Sequence, residues 1–223
     1  MVAASFALAP AAGASNGIGA LPAQQIVKKS IAATTTASSV TVSGAIATTS
    51  QTVSLHVTSA KGIGFGTFTY NGQTLTVVKT TKHTYFKATQ SFWTTAAGAT
   101  AAQLFANKWV ISDAIGSSFA SFFDTRQLLR TSNLTTSVFV KTGAATVNGQ
   151  PAVIVTGHDK TNAASAGKLY VATNGPPYIL RLAATTKGTN AGVLNFTNYN
   201  QAVHLTVPAH PLNLNSLGSG SQG

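Results

Sequence analysis

The stretch Gly64-Phe-Gly-Thr-Phe-Thr-Tyr70, Asn71-Gly72, Gln73-Thr-Leu-Thr-Val-Val78 decides the fold class. Apolar and polar residues alternate with period two on both sides of an Asn-Gly pair. That pair tolerates positive φ at both turn positions, so the segment is a β-hairpin closed by a two-residue turn. The same alternation extends upstream. Val40, Val42 and Ile46 alternate with Thr41 and Ser43, and Val53, Leu55 and Val57 alternate with Ser54, His56 and Thr58. Downstream, His83-Thr-Tyr-Phe-Lys-Ala88 completes an N-terminal antiparallel meander.

From Gln90 to about Asn133 the period changes. Phe92, Trp93, Leu104, Phe105, Trp109, Phe119, Phe122, Phe123, Leu128 and Leu129 fall at helical spacings, and Gly98 and Gly116 divide them into short helices. A second strand run then follows: Val138–Val140, Ala144–Val147, a turn at Asn148-Gly149, Ala152–Val155, Lys168–Ala172, Tyr178–Leu182, Gly192–Phe196 and Ala202–Val207. Ahead of the first meander, Pro22 opens a helical segment Ala23–Ala33, with Ile26, Val27, Ser30 and Ile31 on one face. Strands and helices occur in blocks rather than in alternation, which excludes a parallel doubly wound sheet. The class is α+β: a curved antiparallel half-barrel with an N-terminal helix and a short-helix insert over the concave face. Residues 1–14 read as a signal-peptide remnant ending in the A-x-A pattern Ala12-Gly-Ala14. Residues 15–21 read as a linker, 22–211 as one domain and 212–223 as a flexible tail.

Composition excludes whole classes of chemistry. In 223 residues there are three acidic side chains (Asp113, Asp124 and Asp159), no Glu and no Cys. Acid–base, glycosidase and hard-metal sites converge two or more carboxylates, and thiol or zinc-thiolate sites need Cys. No catalytic residue, metal site or cofactor is therefore expected. Gly62-Ile-Gly-Phe-Gly66 runs on into a strand, where a dinucleotide loop would open a helix. His158-Asp159 sits beside Lys160 and Asn162 in a predicted turn, without a nucleophile elbow nearby. Asn133-Leu-Thr135 and Asn195-Phe-Thr197 match the glycosylation acceptor pattern. The net charge of +11 comes from missing acids, because the lysines are dispersed along the chain. Dispersion argues against specific nucleic-acid binding and leaves attraction to an anionic membrane or cell-wall surface.

The aromatic and aliphatic residues of the middle helices are the candidate ligand-binding set. A half-barrel with short apolar helices across its concave side tends to leave a cavity between the two layers. Several motifs also resemble one family. Gly62–Thr69, Tyr85-Phe-Lys87 followed by Phe92-Trp93, Lys108-Trp109, Gly149-Gln-Pro-Ala-Val153, Gly167–Ala172 leading to Gly175-Pro-Pro-Tyr178, Leu180-Arg181 and Pro208-Ala209 occur in that order. Together they resemble the LppX/LprG-type exported lipoproteins of actinobacteria, whose fold is similar to that of the LolA and LolB lipoprotein carriers. The resemblance spans residues 22–210. It implies an apolar cavity for acyl chains, an exported location in or beyond the cell envelope, and a part in lipid or lipoprotein traffic. The chain departs from it in lacking a lipobox Cys. Two rival readings remain: a structural or adhesive envelope protein whose core is closed by its own side chains, and a hydrolase of envelope lipids with a Ser or Thr nucleophile.

Overall fold

The computed structural model describes residues 14–47, 51–131, 137–159, 166–184 and 191–216. Its N-terminal meander comprises β1 (Val40–Ala47), β2 (Thr52–Ala60), β3 (Ile63–Tyr70), β4 (Gln73–Lys79) and β5 (Thr84–Ala88). The predicted Asn71-Gly72 turn forms with φ of 48° and 72°, and Asn148-Gly149 with 50° and 77°. Lys61-Gly62 makes a third tight turn of the same kind, φ 51° and 84°. Positive φ at both central residues matches the right-handed twist of the paired strands.

The second strand block is β7 (Ser137–Val147), β8 (Gln150–Asp159), β9 (Ala166–Ala172), β10 (Ile179–Ala184) and β11 (Gly192–Thr197). Two strands of two residues, β6 (Val110–Ile111) and β12 (Leu212–Asn213), complete the sheet. The order is β12-β6-β5-β4-β3-β2-β1-β11-β10-β9-β8-β7. All neighbours are antiparallel except β12 and β6. The sheet is long, curved and unclosed, as the alternating sequence predicts. The two meanders are joined at a single seam, where β1 pairs with β11 from Thr41↔Thr197 to Ile46↔Gly192.

One apolar cluster occupies the concave face. It includes Val57 of β2, Phe68 of β3, Val77 of β4, Phe86 of β5, Val155 of β8 and Val171 of β9. The helices cover that face: α1 (Ala23–Thr36), α2 (Gln90–Phe105), α3 (Asp113–Phe119), a 3-10 turn at Ala120–Phe123 and α4 (Thr125–Thr131). Ile26 and Val27 of α1 join the cluster, and α1 lies against β7–β10 and α4. Gly98 interrupts α2 with φ 86° and ψ 173°, as expected for a break, whereas Gly116 lies inside α3 against Thr84 of β5.

Four expectations are corrected. Ala202–Val207 is not a strand. Both edges of β11 are already taken by β1 and β10, so the following residues cannot pair beside it. They run back across the outer face toward β6, about 29 Å of sheet at ordinary strand spacing. There Leu205 packs beside Val78, Tyr85 and Ile111 on the outer face. Second, His158 and Asp159 are the last residues of β8 and not part of a turn. Third, residues 15–21 are tied down: Asn16 Nδ2 donates to the carbonyls of Ala172 and Gly175, and Ile18 is buried. Fourth, the start of the expected tail is attached, since Leu212 N donates to Trp109 O and Asn215 Nδ2 donates to Asp113 Oδ2 at 2.8 Å. The signal-peptide remnant up to Gly13, the acceptor pattern at Asn133 and the tail from 217 lie outside the described residues.

A polar knot fixes α1 to the sheet. Tyr199 donates its hydroxyl to the carbonyl of Ile179, and the Ile179 amide donates to Thr34 Oγ1 of α1 at 3.0 Å. The Tyr199 ring stacks on Tyr178, with centroids 4.1 Å apart and planes at 7°. Burial pushes the Tyr199 phenol well above its ordinary value of 10.0; Tyr178 adds to this and the Thr34 hydrogen bond opposes it. The raised folded-state value means that this contribution is complete below pH 10 and is lost as pH rises beyond it. A chain unfolded above pH 10 releases a proton that the folded phenol retains. Alkaline unfolding is therefore expected to steepen by up to about 1.4 kcal/mol per pH unit from this one group. Urea midpoints of Tyr199→Phe against the parent, measured at pH 8 and through pH 10–11, check it: the variant loses less on going to high pH.

Candidate functional site

The candidate site is the layer between the concave sheet face and the helices across it. Ten strands contribute to its floor, among them through Val42, Leu55, Phe68, Leu75, Phe86, Val155 and Val171, all buried there. Strand periodicity places such residues on one face. The floor carries no titratable side chain among these positions.

The helical side holds most of the residues selected from the sequence. Trp93, Phe123, Leu128 and Leu129 are buried in the same cluster, and Phe92, Phe105, Phe119 and Phe122 are half-buried against it. Two aromatic groups organise them. Phe119 and Phe122 lie on Phe68 of β3, with centroids 4.7 and 5.1 Å away. Trp93 lies between Phe92, edge-on at 5.4 Å, and Phe105, tilted at 5.2 Å. Offset and edge-to-face arrangements at these spacings are favourable beyond the area they bury.

Two selected residues lie elsewhere. Leu104 is 52% exposed and points away from the sheet. Trp109 packs on the outer face with Val78, Tyr85 and Ile111. The reason is the break at Gly98 and the strand β6, which reset the helical phase counted through this region.

The attachment of the cover is uneven. Phe123 anchors the 3-10 turn against β2 and β3, and α4 adds Leu128 and Leu129. By contrast α2 buries only Trp93 and Ala102 of its 16 residues, and residues 94–100 are all exposed. Thr89 caps its start by accepting from Phe92 N.

Beside the anchored end is a cleft of about 490 Å³ that the sequence did not indicate. It lies between the C-terminus of α1, the Lys61-Gly62 turn and the start of α4, with Ser38, Ser59, Lys61, Thr125 and Arg126 on its walls. Phe123 lines it from the apolar side, so the polar cleft and the concave core share one ring. Asp124 faces it as well, but its Oδ1 accepts from the amides of Arg126 and Gln127 as the cap of α4. Asp113 likewise serves local structure, bonding Asn215. The carboxylates of the two are thus committed to caps and ties. No group of three His, Asp or Glu side chains placed to hold a metal ion occurs among the described residues.

Among the solved structures that share this architecture are two mycobacterial proteins. The chain is similar to the lipoprotein LppX of Mycobacterium tuberculosis at 17% identity and a TM-score of 0.56, covering 82% of this chain and 97% of LppX. It is similar to LprF of Mycobacterium bovis at 15% identity and a TM-score of 0.57, covering 83% and 96%. At such identities the shared property is the fold. It is the fold expected from the ordered motifs in the sequence. No family model and no curated protein matches the chain.

Proposed function

We propose that this chain is a non-enzymatic lipid-binding protein of the cell envelope, holding acyl chains between the concave sheet face and its helical cover. The observation that carries the reading is a continuous apolar face on an unclosed sheet, covered at one end by a helix that buries two side chains. Each methylene moved from water into such a layer contributes about 0.8 kcal/mol, so a carrier needs apolar lining and a movable cover rather than reactive groups. The likeness in fold to a mycobacterial lipoprotein supports an extracytoplasmic setting. The +11 charge, with Lys61 and Arg126 on the cleft, suits contact with an anionic membrane or cell-wall surface.

Mass spectrometry of an organic extract of protein purified from its native host tests the reading, with acyl lipid as the expected content. Leu128→Trp supplies the matched variant. Leu128 is buried in α4 at the core of the layer, and on this reading an indole there takes the place of an acyl chain that lies between sheet and helices. Uptake of a fluorescent fatty acid is expected to fall at least tenfold, with the urea midpoint almost unchanged. A closed core would instead lose about 1–3 kcal/mol to overpacking, with no uptake by the parent. That result supports the structural or adhesive reading and sinks this one.

A further inference from the structure

Trp93 is 3% exposed, and its indole Nε1 is buried without a hydrogen-bond partner. An indole N–H is a donor only, and leaving it unpaired in an apolar surrounding costs on the order of 1–3 kcal/mol. The side chain gains nothing from that N–H in this state; a Phe would pack between Phe92 and Phe105 without the penalty. Its position is also specific. It is one of only two buried residues of α2 and lies in the first turns, before the break at Gly98. The exposed stretch 94–100 follows directly. The unpaired donor thus sits within the apolar cluster, on a helix whose next seven residues are all exposed.

Resting on the lipid-binding reading above, we propose that the Trp93 indole N–H is a ligand-binding donor. It takes the carbonyl oxygen of an acyl lipid, ester or carboxyl, while the chains lie along the concave face. The arrangement selects the end of the ligand that carries oxygen and sets it beneath α2. It also couples binding to closure, because α2 gains a hydrogen bond only when it closes over a ligand bearing an acceptor.

The chain has two Trp residues, and Trp109 on the outer face serves as the internal control. With ¹⁵N-indole-labelled protein, Trp109→Phe assigns the two indole signals. Methyl palmitate and hexadecane, each delivered from cyclodextrin, are the probes, since they differ in the ester oxygens. The Trp93 N–H signal is expected to move downfield with methyl palmitate and not with hexadecane, while Trp109 stays in place. In titrations, Trp93→Phe is expected to bind methyl palmitate roughly three- to tenfold more weakly, with hexadecane affinity retained. If the parent takes up both probes and the Trp93 signal responds to neither, as for an indole bonded to a retained water, the donor role is overturned and lipid binding stands. If the parent takes up neither probe, the lipid reading falls and this inference falls with it. Should Trp93→Phe not fold, the two signals of the parent still decide the question.

Discussion

Replacing Gly44 by alanine is expected to lower stability by about 3 kcal/mol or more, which for a domain of this size corresponds to a fall in Tm of roughly 6–12 °C. The residue lies on β1 at φ 151°, opposite Leu194 of β11. A Cβ built there falls 1.9 Å from the carbonyl oxygen of Val193 and 3.1 Å from the Cα of Leu194. Both atoms belong to backbone, so no rotamer change relieves the clash and the strands must move apart. Gly192 repeats the situation from the other strand, with its missing Cβ 2.2 Å from Ala45 O. The strands approach closely across this seam, which is the one place among the described residues where the two meanders pair. The loss is thus global and not confined to one hairpin. Gly149→Ala supplies the control: its φ is 77°, but nothing lies within 4 Å of the added Cβ. It is expected to cost about 1–2 kcal/mol, the local conformational strain alone. Equal losses at the two positions, read by differential scanning calorimetry, would contradict the account of the seam.

The hairpins were legible because their signals are local. Asn-Gly pairs, period-two alternation and a Pro at the start of α1 each act over a few residues, and the structure places strands and helix where those signals put them. What escaped depends on the whole sheet. The alternation of Val203, Leu205 and Val207 is a genuine strand pattern, yet β11 has no free edge, and the segment instead lays Leu205 on the outer face. The two-residue strands β6 and β12 have no periodicity to read, since each is ordered by the edge it joins.

The site divides in the same way. Aromatic residues such as Phe119, Phe122 and Phe123 are legible because each requires burial wherever its helix lies. Leu104 and Trp109 were grouped with them by counting helical phase through Gly98, where the phase is lost. The Lys61 and Arg126 cleft assembles residues 65 positions apart in sequence, with no motif at either. The unpaired indole of Trp93 is a property of packing alone, invisible to composition or spacing.

Phe123→Ala is expected to cost about 3–5 kcal/mol, the range for deleting a buried ring and leaving the space unfilled. Phe123 is 1% exposed and belongs to the central cluster. Its Cδ1 lies 3.0 Å from the position a Cβ would take on Gly64 of β3, so the ring sits in a notch that a side chain there would close. The neighbouring backbone cannot collapse far into the gap, because the glycine notch is formed by paired strands. The effect should spread along the chain. The 3-10 turn of Phe123 connects α3 to α4, and its contacts with β2 add to those of α3 with β5 in holding these helices to the sheet. Amide hydrogen exchange over residues 113–131 is expected to accelerate more than exchange in β8 and β9. Leu104→Ala, at an exposed position of α2, should change the urea midpoint by no more than about 0.5 kcal/mol. A variant of Phe123 as mild as that of Leu104 would show that the cover is not anchored there. The contrast has a functional side. Phe123 lines the cleft bearing Lys61 and Arg126 and belongs to the apolar cluster as well, so its removal joins the two and admits water to the apolar layer. The cover thus rests on a fully buried ring at Phe123, whereas α2 buries Trp93 and Ala102 alone.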